Sequence, residues 1–134
     1  MKLIALLLLA FSLSYSSVVT DYLNTLASEA KRVSSDFKIF DKERGKNLFV
    51  SKHIGKKGKL VSCVSCHTNN FSQRGEHILT GKIIEPLSPR VNPERLSELR
   101  TIKKWLKRNF KDVYRREGTA LEKGDVLTYI ISKD

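Results

Sequence analysis

The sequence predicts an all-α protein with a single domain. Apolar residues recur every three or four positions in several stretches of the 134-residue chain, and this spacing is typical of amphipathic helices. Stretches that alternate apolar and polar residues, as half-buried strands do, are almost absent. No internal repeat, low-complexity tract or linker divides the chain. We therefore expect one helical domain over residues 17–134, preceded by a targeting segment.

The targeting segment covers residues 1–16. The basic start Met1-Lys2 is followed by an apolar run to Leu13, and Ser14-Tyr15-Ser16 has the small-x-small pattern of a signal-peptidase site. The alternative is an uncleaved membrane anchor that extends to Val19, although the run is short for a membrane span. No cysteine follows the run, which excludes a lipoprotein anchor. These features predict a soluble protein exported to the periplasm.

The first helix of the domain is predicted as an extra N-terminal segment. Four apolar residues at helical spacing give it one apolar face. They are Tyr22, Leu26, Ala30 and Val33. Thr20 or Asp21 is the predicted N-terminal cap, because either side chain can accept a hydrogen bond from a free backbone N–H group at the start of a helix.

The next helix is predicted to begin after Asp41 and to end near Val50. Asp41 is a favourable cap, and Gly45 and Phe49 lie four residues apart on one face. Residues 51–60 contain two glycines and four lysines, and this composition predicts a solvated loop. Residues 68–90 are also expected to be irregular, since glycine and proline interrupt them repeatedly.

Two C-terminal helices complete the predicted domain. Asn92 and Pro93 mark the start of the first, with asparagine as the cap and proline at the first helical position. Its apolar residues are Leu96, Leu99, Ile102, Leu106 and Phe110. The last helix begins with a capping box of Thr119 and Glu122, and Gly124 within it indicates a close contact between helices.

The most specific motif is Cys63-Val64-Ser65-Cys66-His67. In Cys-x-x-Cys-His, the two thiols bind the vinyl groups of a haem and the histidine binds its iron. The two-residue gap brings both thiols onto one helical turn. We therefore assign Cys63 and Cys66 as haem anchors and His67 as the axial ligand, which gives one covalently bound haem c. Covalent haem attachment takes place outside the cytoplasm, in agreement with the export signal.

Two other kinds of site contain a Cys-x-x-Cys pair. Thiol-disulfide oxidoreductases carry it in a strand-rich, thioredoxin-like pattern, which this chain lacks. A structural zinc site needs two further ligands, and only His53 and His77 are available, at irregular spacing. Haem is the better interpretation. Because both cysteines are then committed to haem, we expect no disulfide bond in spite of the oxidising compartment.

The sixth position of the iron has no mature methionine available, since the only methionine is Met1. A thioether ligand raises the reduction potential of a haem, so this haem should have a lower potential. His53, His77, a lysine, a weak oxygen ligand or no ligand remain as choices. Asn109 lies on the apolar stripe of its helix, where iron could partner a buried amide. Alternatively, Asn109 bonds to backbone carbonyls near the helix end or to solvent.

The haem motif, the short length and terminal helices that can cross at small residues resemble a class I cytochrome c, which wraps around one haem. Three segments resemble the sphaeroides haem protein family more specifically. They are residues 80–93, which end in Arg-Val-Asn-Pro, residues 103–113, which contain Trp-Leu-Lys-Arg-Asn-Phe, and residues 122–129, which begin with Glu-Lys-Gly-Asp. The similarity extends over about residues 41–131.

The resemblance implies that Asn109 is the distal ligand of oxidised iron and leaves it on reduction, which opens a site for O2, NO or CO. An amide oxygen is a hard, weak donor that suits Fe(III), whereas Fe(II) prefers π-accepting diatomic molecules. Asn109 is therefore the candidate catalytic residue, and Trp105 on the same helix is a candidate haem contact. Family members commonly carry a disulfide-bonded cysteine after this asparagine. Here Phe110 replaces it, and we expect a looser distal helix.

The formal net charge of +11 predicts acidic partners. Seven basic residues lie on the Asn109 helix and its continuation: Lys103, Lys104, Lys107, Arg108, Lys111, Arg115 and Arg116. The family resemblance implies a dihaem cytochrome c and a membrane cytochrome b as electron donors. Nucleic acid is not an expected partner of an exported haem protein, and the chain should be a monomer or a weak oligomer.

Two functions agree with these observations. The first is a redox-gated, gas-binding haem protein that also transfers electrons. The second is a simple low-potential electron carrier with a strong sixth ligand such as His77. The sequence does not decide whether the open iron also reduces oxygen, peroxide or a nitrogen oxide. On the proximal side, the carbonyl of Pro86 is the expected acceptor for the imidazole N–H of His67.

Overall fold

A computed structural model describes the backbone of residues 2–134 and the side chains of residues 17–134. The predicted signal peptide, residues 1–16, lies outside the part whose side chains are described. The helices of the described chain are α1 (Lys2–Val33), α2 (Lys42–Val50), α3 (Cys63–His67), α4 (Leu99–Tyr114) and α5 (Ala120–Ser132). Two antiparallel hairpins pair β1 (His53–Ile54) with β2 (Leu60–Val61), and β3 (Gly75–Glu76) with β4 (Ile83–Ile84). The predicted all-α class is confirmed.

The crossing of α2 and α5 lies at the centre of the fold. Gly45 of α2 approaches the carbonyl of Asp125 so closely that a Cβ atom would collide with it. The Asp125 side chain is only 2% exposed and accepts hydrogen bonds from the Arg44 guanidinium at 2.8 and 3.0 Å. This paired, buried carboxylate therefore links α5 to α2 at the crossing. Gly124, also predicted to lie at a helix contact, packs against Phe40 from the segment before α2.

Two of the predicted helix caps are confirmed. Asp41 caps α2, because its carboxylate accepts a hydrogen bond from the Arg44 N–H at 2.7 Å. Thr119 and Glu122 form the capping box of α5. These contacts join residues three positions apart, and such local pairing can be recognised from the sequence alone.

The N-terminal helix differs from the prediction. α1 passes through Thr20 and Asp21 without a boundary, so neither residue is its cap. Tyr22 and Leu26 are buried in the core as predicted, but Val33 is 88% exposed at the end of the helix. The predicted caps were wrong because a helix that has already begun leaves no free N–H groups at these positions. Among the described residues, no helix is both long and apolar enough to cross a membrane.

The β1–β2 hairpin, from His53 to Val61, occupies most of residues 51–60, where the sequence predicted a solvated loop. Gly55 is buried, and a Cβ atom there would lie 2.5 Å from the Asp112 carbonyl oxygen. The same carbonyl accepts a hydrogen bond from the Lys56 N–H at 2.9 Å. The hairpin therefore satisfies a carbonyl at the C-terminal end of α4, a contact between distant parts of the chain that composition does not reveal.

α4 begins seven residues after the predicted cap, at Leu99. The Asn92 amide donates a hydrogen bond to the Pro86 carbonyl at 3.1 Å instead of capping a helix. Leu96 adopts a φ of +61°, which no residue of a right-handed helix can have. The predicted apolar stripe is correct within α4, where Ile102, Leu106 and Phe110 are buried.

Candidate haem-binding cleft

α3 carries both cysteines and the histidine of the motif. Ser62 begins this helix, because its hydroxyl accepts a hydrogen bond from the Ser65 N–H at 3.3 Å and the Ser65 hydroxyl accepts one from the Ser62 N–H at 2.9 Å. This capping box uses a residue of the Cys-x-x-Cys spacer. The motif and the residue before it therefore determine the helical turn that carries Cys63, Cys66 and His67. Both thiols are free.

A cleft that is partly open to solvent lies between α2, α3, α4 and α5. Cys63, His67 and Asn109, three of the residues that the sequence singled out, line it together. The other lining residues are Leu48, Phe49, Leu87, Leu106, Phe110, Tyr114, Val126 and Ile130. An apolar wall suits the haem macrocycle, and a thiol, an imidazole and an amide are suitable groups for its vinyl edge and iron. The residues present fit a haem.

Cys66 does not line this cleft. It borders a shallower groove beside the β3–β4 hairpin, together with Arg74, Gly75 and Glu76. Gly75 lies so close to the Cys66 carbonyl that a Cβ atom would collide with it. The hairpin therefore holds α3 from the side that faces away from the cleft.

Burial determines the protonation of the motif. Loss of contact with water, together with the nearby Arg95 cation, lowers the pKa of His67 to about 4. Burial also raises the pKa of the Cys63 thiol to about 12, with the neighbouring Cys66 as a further cause. Both groups are neutral at physiological pH, and a neutral imidazole is the form that binds a metal ion.

Asn109 lies at the edge of the apolar stripe of α4 and is half-buried. Ile102, Leu106 and Phe110 continue this stripe into the core. Within residues 17–134, the Asn109 side chain has no hydrogen-bond partner, so the alternative in which it bonds to backbone carbonyls is not observed. A half-buried amide without a partner is available to bind a ligand or a metal ion in the cleft.

The two other histidines lie outside the cleft. His77 follows β3, and its Nδ1 atom accepts a hydrogen bond from the Leu79 N–H at 3.3 Å. His53 packs against the ring of Tyr114 with a centroid separation of 4.3 Å, and its buried Nε2 atom has no partner among the described residues. Of the three histidines, only His67 lines the cleft.

Tyr114 forms part of the distal wall, which the sequence did not indicate. Its hydroxyl donates a hydrogen bond to the Leu48 carbonyl at 2.6 Å and thereby joins α4 to α2. Burial raises the pKa of this phenol to about 12, so the hydroxyl stays a donor. Its position four residues after Phe110, on the apolar stripe of α4, was the available signal.

Phe110 anchors the distal helix by packing, although the sequence suggested a looser helix without a cysteine here. Its ring is buried, and a Cβ atom on Gly118 would lie 2.8 Å from it. Trp105 lies further out on α4 and does not line the cleft. Its indole is 36% exposed and contacts the cationic groups of Lys104 and Arg108, at 5.2 and 5.3 Å from the ring.

The Pro86 carbonyl, expected to accept a hydrogen bond from His67, has two other donors. The Asn92 amide donates to it at 3.1 Å, and the Arg95 guanidinium donates through Nε at 3.1 Å. Arg95 was not predicted as a site residue. No local pattern marks it, because its contacts lie about ten residues away along an irregular segment.

Comparison with known proteins identifies similar chains. The DUF1924 family, described as a domain of unknown function, matches residues 35–130. The cytochrome c-type protein SHP of Cereibacter sphaeroides is 38% identical over 93 residues, which cover 69% of this chain and 71% of that protein.

Solved structures show the same similarity. Oxidised cytochrome c'' from Methylophilus methylotrophus superposes with a TM-score of 0.78 at 26% identity, over 88% of this chain and 96% of that one. A solution structure of the same protein concerns haem-ligand detachment. Oxidised SHP, an oxygen-binding cytochrome c, superposes with a TM-score of 0.73 at 32% identity, over 84% of this chain and 94% of that one. These matches confirm the predicted cytochrome c fold.

Proposed function

The chain belongs to the DUF1924 family and to the sphaeroides haem protein family. The sphaeroides haem proteins are c-type cytochromes with one covalent haem. From this premise we propose that the protein is a redox-gated, gas-binding cytochrome. In this proposal, Asn109 binds the iron in the oxidised protein and leaves it on reduction, which opens a site for O2, NO or CO. The protein also transfers electrons. The observation that carries the proposal is the unpartnered Asn109 amide in the cleft that contains His67.

Cys63 and Cys66 are the proposed covalent anchors, and His67 is the proposed proximal ligand. When bound, the haem supplies an iron that changes oxidation state by one electron and accepts a small ligand at its sixth position. The capping box of α3 holds all three residues on one helical turn. Burial keeps the His67 imidazole neutral and therefore ready to bind a metal ion.

Asn109 is the proposed gate. Its side-chain oxygen is a hard, weak donor, so it binds oxidised iron better than reduced iron. Because the amide has no hydrogen-bond partner among the described residues, its side chain can rotate without breaking a hydrogen bond within that part of the protein. After rotation, the amide N–H groups are available to donate a hydrogen bond to a small ligand in the cleft.

Two relatives support this proposal. SHP is an oxygen-binding cytochrome c, and structural work on cytochrome c'' concerns the detachment of a haem ligand. The alternative, a simple low-potential carrier with a strong sixth ligand, has weaker support. It needs a residue such as His77, and neither His77 nor His53 lines the cleft.

The deciding experiment compares visible spectra of the purified haem protein, oxidised and reduced, before and after addition of carbon monoxide. We expect the reduced protein to bind carbon monoxide rapidly and completely. In Asn109→Ala, the oxidised spectrum should lose the features of a six-coordinate iron. Apparent affinity for cyanide should rise about tenfold or more, because the competing amide has been removed.

Asn24→Ala, at an exposed position of α1, is the matched control and should behave like the wild type. A reduced low-spin spectrum that carbon monoxide leaves unchanged would contradict the gate and favour the simple carrier. An oxidised Asn109→Ala spectrum identical to that of the wild type would exclude Asn109 as the ligand.

For electron transfer, we propose acidic redox proteins as donors, with a dihaem cytochrome c and a membrane cytochrome b as the expected ones. The exposed face of α4 is the proposed docking surface. Trp105 lies there between Lys104 and Arg108, and within residues 17–134 neither cation forms an ion pair with a carboxylate. Exposed aromatic and arginine side chains are typical of the centres of protein interfaces.

Flavin semiquinones test this surface, since each transfers one electron to the oxidised haem. Reduction by flavin mononucleotide, which is anionic, should slow as salt is added, whereas reduction by neutral lumiflavin should not. The double variant Lys104→Glu with Arg108→Glu should remove this difference, and the distant control Lys82→Glu should keep it. Equal salt dependence in both variants would reject α4 as the docking surface.

Export to the periplasm is also a proposal, supported by the N-terminal pattern of residues 1–16. Mass spectrometry of the protein from a host that matures c-type cytochromes tests it. We expect a mature chain that begins near Ser17 and carries the mass of one haem. An intact N-terminus would indicate the uncleaved anchor instead.

A further inference from the structure

Arg95 lies in the irregular segment before α4 and is half-buried. Its guanidinium donates two hydrogen bonds to backbone carbonyls, from Nε to Pro86 at 3.1 Å and from Nη2 to Glu85 at 2.8 Å. The next residue, Leu96, has a φ of +61° and packs against the core. The loop and the two carbonyls therefore hold the guanidinium in one orientation.

This cation forms no ion pair among the described residues, although the Glu85 carboxylate is near enough to offset part of the effect of burial on its pKa. Within residues 17–134, no Asp or Glu side chain lies within ion-pair distance of Arg95. The nearby Glu85 carboxylate pairs with Arg74 instead, at 3.2 Å. Burial lowers the pKa of Arg95, because removing the guanidinium from water disfavours its charged form. A half-buried cation of this kind is stabilised when an anion reaches it.

Arg95 also lies close to the cleft. Its acceptor Pro86 directly precedes Leu87, which lines the cleft together with His67. The hydrogen bond to Pro86 therefore holds the Arg95 guanidinium beside a segment that lines the cleft.

We propose that Arg95 binds a propionate carboxylate of the haem. This inference rests on the proposal that the cleft holds a haem. A haem carries two carboxylates on one edge, and a guanidinium has five N–H donors, of which the two carbonyls occupy two. The planar fork that remains matches the geometry of a carboxylate.

The position of Arg95 has a consequence for the redox gate. A fixed positive charge beside the haem stabilises the reduced iron, which carries one positive charge less, relative to the oxidised iron. Arg95 thereby raises the potential at which one electron from a reductant enters. It is a positioning residue for the gate, because Asn109 is proposed to leave when that electron arrives.

The experiment uses the full haem protein and three variants: Arg95→Gln, Arg95→Lys and the control Arg90→Gln. Arg90 is exposed in the same segment and binds Asp134 instead of facing the cleft. The ratio of reduced to oxidised iron is measured at one fixed ambient potential. We expect about a tenfold decrease in Arg95→Gln, equivalent to about 59 mV for one electron. The decrease should be smaller in Arg95→Lys, and Arg90→Gln should match the wild type.

Resonance Raman spectra provide an independent measurement, because propionate bending bands shift when a carboxylate loses a charged partner. We expect this shift in Arg95→Gln and Arg95→Lys but not in Arg90→Gln. If Arg95→Gln unfolds, the bands of Arg95→Lys decide the outcome. A variant that is less stable but keeps the wild-type ratio and bands would overturn the proposal and leave Arg95 as a clamp for the loop.

The results that would overturn the role of Arg95 differ from the results that would overturn the proposed function. A protein without haem is recognised by its mass. If Asn109 is not a ligand, the carbon monoxide and cyanide measurements fail, but the Arg95 effect on the iron ratio is still expected.

Discussion

The proximal and distal sides of the cleft are held in different ways. On the proximal side, α3 is fixed by its own capping box and by Gly75, which packs directly against the Cys66 carbonyl. On the distal side, α4 is held at its end by Tyr114 and the β1–β2 hairpin, while the Asn109 side chain has no partner among the described residues. The proposed permanent ligand, His67, thus belongs to a tightly packed backbone, whereas the proposed exchangeable ligand, Asn109, combines a fixed helix with a side chain free of hydrogen bonds.

A substitution that disrupts packing on the proximal side should have the largest effect on stability. In Gly75→Ala, the new methyl group would collide with the Cys66 carbonyl, so the β3–β4 hairpin must move away from α3. We expect a loss of more than about 3 kcal/mol in the free energy of unfolding, measured by urea denaturation of the haem protein.

Gly58→Ala is the matched control for this substitution. Gly58 has a φ of +72° but nothing within 4 Å of a Cβ atom, so its cost should be only about 1 kcal/mol, from backbone strain. Equal losses in the two variants would mean that the contact with Cys66 has no special role.

Removing a hydrogen bond on the distal side should have a moderate effect on stability. Tyr114→Phe removes the hydrogen bond to the Leu48 carbonyl, which lies near the C-terminal end of α2 and needs a donor. We expect a loss of about 1 kcal/mol in the free energy of unfolding and faster hydrogen exchange in the last turns of α4.

Tyr129→Phe provides the comparison for this prediction, because the Tyr129 hydroxyl has no hydrogen-bond partner within residues 17–134. Its stability should stay within about 0.5 kcal/mol of the wild type. If exchange in α4 is unchanged in Tyr114→Phe, then the hairpin alone holds the distal helix.

The smallest effect on stability is expected when an exposed ion pair between the end of α4 and α5 is removed. Arg116 donates two hydrogen bonds to Glu122, at 2.7 and 2.8 Å, and this contact is the main reason that the pKa of Glu122 falls below 4.5. Arg116→Gln should cost only about 0.5 kcal/mol at pH 7, because solvent screens the pair.

The difference in stability between the wild type and Arg116→Gln should become smaller as the pH falls. A carboxylate with a lowered pKa in the folded protein contributes stability above its ordinary value of 4.5 and loses it as the pH falls through the folded value. Urea denaturation should therefore show the wild type and Arg116→Gln converging below pH 4.5. A constant difference across this range would assign the effect to packing of the arginine side chain.

Predictions from the sequence were most accurate where neighbouring residues decide the structure. Asp41 caps α2, Thr119 and Glu122 cap α5, and the stripe of α4 buries Ile102 and Leu106. Each depends on spacings of three or four residues, which the chain displays directly. The predicted start of α4 was wrong because Asn92 binds the Pro86 carbonyl, six residues earlier in the irregular segment, and this contact outweighs its local preference as a cap.

The sequence by itself determined the haem motif, the helical class and the position of Asn109 on an apolar stripe, since covalent chemistry and helical periodicity are properties of short segments. Only the tertiary structure decided which groups face one another. It brought Asn109 into the cleft of His67, attached the β1–β2 hairpin to the end of α4, and held the Arg95 guanidinium at the Pro86 carbonyl, next to a residue that lines the cleft. Such contacts join residues far apart in the chain, where burial and hydrogen bonding, not local preference, decide the free energy.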